Sequence, residues 1–231
     1  MHVRARKEED KQARRRAIVT AAASCLGGRS FPDVTMNEIA ACCGLGKGTL
    51  YLYFHTKEEL FLAVLEIELA DWLDSIAATL PEKRRVEPQF FAQLIVQTLA
   101  RRETLTNLLT LQRTMLEKSP QGDVRSRFAR AQRDTLETFA PAIERALGLV
   151  PGEGVRIMTS ALALVIGLRE LDAPASADAP AQPPRTDVEP TLLHSLTAML
   201  RGLVDGPRRS IASVGDAAIF ASPDGSAAVR S

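Results

Sequence analysis

Residues 35–59, TMNEIAACCGLGKGTLYLYFHTKEE, contain two helix starts separated by a glycine-rich turn. Thr35 with Glu38, and Thr56 with Glu59, have the Thr-x-x-Glu spacing of a capping box. In that motif the threonine hydroxyl and the glutamate carboxylate satisfy backbone N–H groups at a helix N-terminus. The sequence therefore predicts a short helix after residue 35 and a further helix that starts at residue 56.

The turn between these helices is predicted at Gly44, because glycine is the residue favoured in the left-handed conformation that ends a helix. Leu45, Leu50 and Tyr53 supply the apolar contacts expected between a second short helix and the first. Two helices joined in this way form a helix-turn-helix. The sequence predicts this motif over residues 35–54.

The second helix of the motif keeps polar groups outside this packing. Lys47, Thr49 and Tyr51 supply a cation, a hydroxyl and a phenol, while Gly46 and Gly48 leave the backbone uncovered. Such groups, near the N-terminus of a recognition helix, contact base edges and phosphates. The segment therefore predicts DNA binding.

Two other interpretations of the segment remain open. It can be an ordinary helical hairpin inside a core, with residues 44–46 as a plain turn. It can also be a phosphate-binding loop over residues 44–49, but no strand precedes it, and Lys47 is followed by Gly48 where the Walker pattern has Ser or Thr. The combined spacing favours the helix-turn-helix.

The charge of the chain is unevenly distributed, although the net charge is only +1 over 231 residues. Residues 1–57 hold ten Lys and Arg against five Asp and Glu, whereas residues 58–231 hold 19 against 23. A basic front part suits contact with a polyanion, and a solvated charged face is the alternative. With 45% hydrophobic residues the chain is long enough for a globular core.

Cys25, Cys42 and Cys43 are an odd number of cysteines within predicted helices. This argues against a secreted disulfide framework and indicates a reducing compartment. We interpret all three as structural thiols, although a redox role of Cys42 or Cys43, beside the turn, stays open. The three histidines are scattered and form no metal-ligand pattern, so we expect no metal and no cofactor.

The first helix carries a basic region followed by a short apolar run, which superficially resembles a signal peptide. Acidic residues at 8–10 interrupt the basic region, and the run is amphipathic, so we predict a surface helix. The apolar stretch at residues 157–168 is too short to span a bilayer. We therefore expect no membrane segment and a cytoplasmic location.

The chain is predicted to be all-α, because periodic apolar positions mark helices almost throughout. We assign residues 1–57 to a helix-turn-helix domain, 58–205 to a ligand-binding and dimerisation domain, and 206–231 to a poorly ordered tail. Residues 211–220 can form a short strand, and an Ala/Pro-rich loop precedes the last helix. The predicted helices, apart from the motif, are 11–26, 56–79, 89–103, 104–118, 123–147, 154–171 and 188–204.

The stretch FPDVTMNEIAACCGLGKGTLYLYFHTKEELFLAVLE, after a basic helix, resembles the DNA-binding half of the tetracycline-repressor (TetR) family of bacterial transcription regulators. The resemblance covers residues 11–70, and the rest of the chain resembles the family only in the number and order of its helices. It implies a nine-helix homodimer whose last two helices form a four-helix interface with those of the partner. It also implies a repressor that leaves its promoter when a small molecule binds.

The resemblance also implies roles for individual residues. Lysine acts as a point charge on phosphate, while threonine and tyrosine can contact a base edge or a thymine methyl. The sequence departs from the family at Gly46, where a serine commonly caps the helix, and at Leu52, where His, Tyr or Trp is common. The residues assigned to DNA are Thr35, Gly46, Lys47, Gly48, Thr49, Tyr51, His55 and Lys57.

The body of the chain offers candidates for an effector pocket and a dimer interface, although plain core packing is the alternative for each. We expect a small and largely apolar effector, anionic or aromatic in character. The candidate ligand residues are Trp72, Phe91, Gln112, Met115 and Phe128. The candidate dimer residues are Ile157, Ala161, Leu164, Leu168, Leu192, Leu196, Met199 and Leu203.

A dimer with recognition helices about 34 to 36 Å apart reads an inverted repeat. Ligand binding would change that spacing by shifting the long fourth helix, a coupling of about 1 to 3 kcal/mol. Two other function classes are alternatives to a regulator. An enzyme or small-molecule carrier lacks any catalytic cluster, so we expect no enzyme activity. A non-specific architectural DNA-binding protein would need a more basic chain.

Overall fold

The computed structural model describes residues 2–26, 29, 31–119, 122–172 and 187–204. Across these residues it contains nine α-helices and a 3-10 turn at Phe31–Asp33, and no strand. The prediction of an all-α fold with about nine helices is confirmed. The helices are His2–Leu26 (α1), Met36–Cys42 (α2), Lys47–Tyr51 (α3), Lys57–Thr79 (α4), Pro88–Ala100 (α5), Glu103–Lys118 (α6), Gly122–Leu147 (α7), Glu153–Asp172 (α8) and Val188–Val204 (α9).

The observed helix bounds differ from the predicted ones mainly at the N-terminus, where α1 begins at His2 rather than at residue 11. The other bounds agree to within three residues. The predicted tail at 206–231, its strand at 211–220, and residues 173–186 of the Ala/Pro-rich loop lie outside the described residues.

The start of α2 is fixed by the predicted capping box. The Thr35 hydroxyl accepts the backbone N–H of Glu38 at 3.3 Å, and Glu38 Oε2 accepts the backbone N–H of Thr35 at 2.8 Å. Two backbone donors that would otherwise lack partners at the helix N-terminus are thereby satisfied.

The end of α2 is a Schellman turn centred on Gly44, whose φ is +63°. The backbone N–H of Leu45 donates to the carbonyl of Ala40 at 2.8 Å, and that of Gly44 donates to Ala41 at 3.0 Å. This pair of bonds satisfies the last carbonyls of the helix and needs a left-handed residue at its centre, which explains the glycine. The turn reverses the chain and places α3 against α2, with Leu50 fully buried.

The two halves of the molecule are joined by α4. Its 23 residues give it a length of about 34 Å, and it packs against α1, α5, α6 and α7. Eleven of its residues are buried, as expected for a helix that is apolar on several sides. Even so, neither α4 nor any other described helix has the length and apolar character needed to cross a membrane.

The remaining helices pack in pairs around α4. The closest associations are those of α4 with α6 and α7, α5 with α9, and α7 with α8. One continuous apolar cluster extends from Ile18 in α1 to Leu200 in α9. A shift of α4 or α7 therefore acts on both halves, because interiors packed at this density transmit displacement.

The contact between α7 and α8 is close at Gly154. A Cβ built on Gly154 would lie 2.7 Å from the backbone oxygen of Ala140 and 2.9 Å from its Cα. Glu144 Oε1, from α7, accepts the backbone N–H groups of Gly152 at 2.7 Å and Gly154 at 3.0 Å. The start of α8 is thus held against α7 by both a close approach and a side-chain cap.

We expect Gly154→Ala to lower the free energy of unfolding by about 1 to 3 kcal/mol, because the added methyl group must push α8 away from α7. Chemical denaturation measures the change. Gly167→Ala, in the same helix, is the control, since a Cβ there meets nothing within 4 Å and alanine favours a helix by up to about 1 kcal/mol. Equal stabilities of the two variants would contradict the close contact.

Candidate nucleic-acid interface

The helix α3 exposes the polar side chains that the sequence places on it. Lys47, Thr49 and Tyr51 are exposed, whereas Leu50 is fully buried. The Lys47 ammonium lies 5.9 Å from the centre of the Tyr51 ring, within the range of a cation–π interaction. A cation, a hydroxyl and a phenol therefore lie together at the surface of one five-residue helix.

Gly46 and Gly48 leave the backbone of this helix uncovered. Gly46 is the N-cap residue of α3 and supplies no side-chain cap, as its departure from the family pattern implies. A Cβ at either position would meet nothing within 4 Å, and neither glycine has a positive φ. The packing and backbone of the protein do not require glycine at these two positions, whereas the close approach of a ligand to the backbone would.

Thr35 is exposed, but its polar hydrogens are already used within the protein. Its hydroxyl donates to Glu38 Oε2 at 2.8 Å, and its backbone N–H donates to the same oxygen. Arg29 Nη2 lies 3.0 Å from the other carboxylate oxygen. These hydrogen bonds, led by the Thr35 hydroxyl, lower the pKa of Glu38 to about 2. A phosphate contact by the Thr35 hydroxyl therefore requires it to leave Glu38.

Lys57 binds the segment before α2 rather than projecting freely. Its ammonium donates to the carbonyl of Phe31 at 2.9 Å and to that of Pro32 at 3.3 Å, and it lies 4.4 Å from the centre of the Phe31 ring. The Phe31 ring meets the Phe61 ring edge-on at 5.2 Å. Lys57 thus ties the start of α4 to the 3-10 turn, a role that the sequence interpretation missed.

Glu59 is the buried centre of a hydrogen-bond cluster. Its Oε2 accepts the backbone N–H of His55 at 2.9 Å and lies 3.3 Å from the Nδ1 atom of His55, while Arg127 Nη2 lies 3.3 Å from Oε1. Burial raises the pKa of Glu59, but the bonds from His55 and Arg127 outweigh it and hold the pKa below its ordinary value. Arg127 also pairs with Asp123, at 3.2 Å.

This cluster corrects the second predicted capping box. The Thr56 hydroxyl accepts the backbone N–H of Glu59 at 3.0 Å, as predicted. The Glu59 carboxylate, however, binds the N–H of His55, one residue before the N-cap, and receives Arg127 from α7. A side chain of the C-terminal body therefore reaches the first turn of α4, directly after the candidate recognition helix.

Aromatic side chains just after α3 pack against the core. Tyr53 is half-buried against the core, as predicted, and Phe54, which the sequence interpretation did not use, is fully buried. The Arg15 guanidinium of α1 lies 4.6 Å from the centre of the Phe54 ring. Leu52, the second departure from the family pattern, is 76% exposed. Phe54 lies four residues after Leu50, a helical spacing from which its burial is predictable.

The interpretation of all three cysteines as thiols is wrong for two of them. Cys25, at the end of α1, and Cys42, the last residue of α2, are joined by a disulfide with Cα atoms 6.3 Å apart. Cys43 is free and half-buried, and burial raises the pKa of its thiol, against the opposing charge of Arg14. The bond joins residues 17 positions apart on different helices, so helical periodicity along either one gave no indication of it.

The residues predicted to bind a ligand occupy different surroundings. Trp72, Phe91 and Met115 are fully buried core side chains, and the Trp72 indole N–H donates to Thr98 Oγ1 at 2.9 Å. Phe128 borders a small cavity of about 170 Å³ between α1, α4 and α7. The first three residues are therefore part of the packing that shapes the C-terminal body.

Gln112 lines a larger cavity, of about 640 Å³, between α6, α7 and α8. Its Oε1 atom is buried and has no hydrogen-bond partner. The wall includes apolar side chains and one charged side chain of each sign, namely Leu136, Leu162 and Ile166, with Arg133 and Glu137. A buried acceptor without a partner is costly, so a bound donor at this atom would stabilise the site.

The residues predicted for a dimer interface fall into two groups. Four are buried in the core of this chain, as the core alternative implies, and four reach its surface at least in part. Only the second group is available to a partner in this conformation. The buried residues are Ile157, Ala161, Leu192 and Leu196, and the others are Leu164, Leu168, Met199 and Leu203.

Comparison with known families gives two matches that together extend over most of the chain. Residues 66–207 match the model described as tetracyclin repressor-like, C-terminal domain. Residues 18–64 match the model described as bacterial regulatory proteins, tetR family. The comparison with curated proteins gave no match.

Solved structures of regulators share the fold at low sequence identity. A TetR transcriptional regulator from Rhodococcus sp. RHA1 is 20% identical, with a TM-score of 0.53 over 86% of this chain and 99% of that chain. The repressor AlkX from Dietzia sp. strain DQ12-45-1b, implicated in biodegradation of n-alkanes, is 19% identical, with a TM-score of 0.51 over 82% and 96%. The fatty acid degradation regulator FadR from Bacillus halodurans is 17% identical, with a TM-score of 0.51 over 84% and 96%.

Proposed function

This chain belongs to the tetracycline-repressor (TetR) family of bacterial transcriptional regulators, and we propose that it is a dimeric repressor released from an inverted-repeat operator by a small, largely apolar effector. The observation that carries the proposal is the surface of α3, where Lys47, Thr49 and Tyr51 are exposed beside an uncovered backbone. These groups match the chemistry of phosphates and base edges.

The proposed contacts divide by chemistry. Lys47 binds phosphate as a point charge, and Thr49 and Tyr51 contact base edges or thymine methyl groups in the major groove. The His55 side chain, 61% exposed, reaches the phosphate backbone. Thr35 and Lys57 are weaker candidates for direct contact, because their donors already serve Glu38 and the 3-10 turn.

Residues 1–57 read the operator in this proposal, and residues 58–205 dimerise and bind the effector in the cytoplasm. The helices α8 and α9 meet those of the partner and set the distance between the two recognition helices. Two successive major grooves require about 34 to 36 Å between them. The surface-reaching group of Leu164, Leu168, Met199 and Leu203 supplies apolar contacts for that interface.

The cavity beside Gln112 is the proposed effector site. Its apolar wall suits an apolar body, and its unpartnered Oε1 accepts a hydrogen-bond donor. Arg133, which lines the cavity together with Glu137, is the group that would pair with an anionic end. Binding there would act on α7, which packs against α4. A thermal-shift screen tests the site: apolar acids should raise the melting temperature, and a rise with cationic compounds alone would contradict the assignment.

The function is tested by binding to the duplex upstream of the gene for this protein, and to duplexes selected from a random pool. A specific regulator keeps its complex in the presence of excess random duplex, at a salt concentration that removes non-specific binding. An architectural DNA-binding protein would lose it to any competitor. A carrier or an enzyme would not bind either duplex.

Gly48→Ala tests the stability of α3 and its contact with DNA separately. We expect the variant to be more stable by up to about 1 kcal/mol, because alanine favours a helix over glycine and its Cβ meets nothing within 4 Å in the protein. Operator affinity should nevertheless fall severalfold, because the methyl group blocks close approach of the DNA to the backbone. Denaturation and operator titration measure the two quantities, and an unchanged affinity would exclude backbone contact at this position.

A further inference from the structure

The disulfide between Cys25 and Cys42 lies in the half of the chain that reads DNA. We propose that this cysteine pair is a reversible thiol–disulfide site, whose oxidation state sets how firmly α2 and α3 are held for operator binding. The inference rests on the proposed function and adds a second input to it, separate from the effector. The chemical partners are a peroxide as oxidant and a dithiol as reductant.

The surroundings of the three cysteines favour this pair. Cys42 is exposed and Cys25 is half-buried, so small reagents can reach the bond. Cys43, although adjacent to Cys42, lies 3.8 Å from the Ile18 carbonyl, to which its S–H donates, and burial raises its pKa. A thiol with a raised pKa forms less thiolate and is a poorer nucleophile. These surroundings lower the reactivity of Cys43, so we expect it not to compete with Cys25 for Cys42.

The position of the bond connects it to the recognition helix. The helices α2 and α3 have seven and five residues, lengths at which an isolated helix is not stable in water. Leu50 is the one buried side chain of α3, so the position of that helix depends on Leu50, on Phe54 just beyond its end, and on the Gly44 turn at the end of α2. Cys42 lies immediately before this turn, and its bond to Cys25 fixes the end of α2 to α1.

The chemistry balances with the reagents named. The exposed Cys42 thiolate attacks peroxide, so that an S–O bond forms, the O–O bond breaks and hydroxide leaves. The Cys25 thiolate then attacks the Cys42 sulfur, so that the S–S bond forms, the S–O bond breaks and the oxygen leaves as water. Two thiols are oxidised by two electrons, and one peroxide becomes two waters. A dithiol reverses this through two exchange steps, and its own sulfurs end as a disulfide.

The experiment uses the full chain in its oxidised and reduced forms. Thiol trapping followed by mass spectrometry should map one disulfide, Cys25 with Cys42, in protein treated with hydrogen peroxide, and three thiols after dithiothreitol. Reduction should lower the melting temperature by about 5 °C or more, because the cross-link restricts the unfolded chain. Reduction should also weaken binding to the selected duplex at least about threefold. If α2 and α3 are less ordered before binding, ordering them on the DNA costs part of the binding free energy.

Variants identify the responsible bond. Cys42→Ser should resemble the reduced wild type and ignore both reagents, whereas Cys43→Ser should keep the full response. The inference is overturned if peroxide leaves three thiols, if it pairs Cys43, or if both forms bind DNA equally. Hydrogen exchange over residues 36–51 gives a readout without DNA, and equal protection in both forms also overturns it. Loss of DNA binding in both forms, with a difference in exchange, would instead contradict the proposed function.

Discussion

Replacing Lys47 and Tyr51 together with alanine is expected to weaken binding by about 30-fold to 1000-fold for each operator half-site, which corresponds to roughly 1 to 2 kcal/mol for each of the two lost contacts. Both side chains are exposed on α3 and neither supports the core. The loss should therefore appear in operator titrations without a change in the melting temperature.

The single variants should differ in kind. Lys47→Ala removes one phosphate contact from each protomer, so it should weaken binding to all sequences and reduce the slope of log affinity against log salt by about 2 for the dimer. Tyr51→Ala should weaken binding mainly to the selected operator, because its contacts lie in the groove.

Matched controls come from the same chain. Lys83→Ala removes an exposed lysine far along the chain from α3, and Tyr53→Phe keeps the half-buried ring of the neighbouring tyrosine. Both should bind the operator like the wild type. If the double variant also bound like the wild type, the recognition surface would lie elsewhere.

Glu59→Ala is expected to lower the free energy of unfolding by about 2 to 3 kcal/mol, because it removes a buried carboxylate with donors from two other residues. The turn that leads from α3 into α4 would lose the acceptor for the backbone N–H of His55. Operator affinity should fall with it. Denaturant titration and operator titration measure the two changes.

The pH dependence of this variant has a defined sign. The pKa of Glu59 lies below its ordinary value of 4.5 in the folded protein, so its ionised form contributes stability above that pH. The contribution is lost as the pH falls through the folded pKa. The difference in the free energy of unfolding between wild type and Glu59→Ala should be largest at neutral pH and should decrease in acid. A gap that widened in acid would contradict the hydrogen bonds described.

Two further variants test how much of the stability lost in Glu59→Ala depends on position in the helix and how much on Arg127. Glu58→Ala, at a partly exposed neighbouring position of the same helix turn, should change stability by less than about 0.5 kcal/mol. Arg127→Ala should cost less than about 1 kcal/mol, because the Arg127 side chain is 55% exposed. A double-mutant cycle between Glu59 and Arg127 should give a coupling of about 0.5 kcal/mol or more. A coupling of zero would show that Arg127 of α7 does not stabilise the Glu59 cluster.

Local sequence patterns predicted the parts of the structure that local bonds determine. The capping box at Thr35 and the turn at Gly44 close rings of a few residues, so spacing alone identifies them. The same Thr-x-x-Glu spacing at Thr56 predicted the contact of the Thr56 hydroxyl but not the partners of the Glu59 carboxylate, of which Arg127 is 68 residues away along the chain. The disulfide was missed for the same reason: it depends on how α1 crosses α2.

Apolar periodicity identified the helices but not what each apolar face packs against. Trp72 and Gln112 were both candidates for a ligand, yet one is in the core and the other borders a cavity. Ile157 and Leu203 were both candidates for a partner helix, yet one is buried in this chain and the other is exposed. A face that packs inside a chain and one that packs between chains have the same composition, so only the fold distinguishes them.

The first turn of α4 also limits how this protein can be recombined with its relatives. Within three residues, Lys57 holds the segment before α2 and Glu59 takes a side chain from α7. A hybrid regulator that joined residues 1–64 to the body of another family member would keep the hydrogen bonds of Lys57 to the segment before α2. Glu59 would lose its contact with Arg127 in the same hybrid. A graft of this DNA-binding half onto a foreign body is therefore expected to gain stability, by less than about 1 kcal/mol, from an arginine placed at the matching position of the new seventh helix.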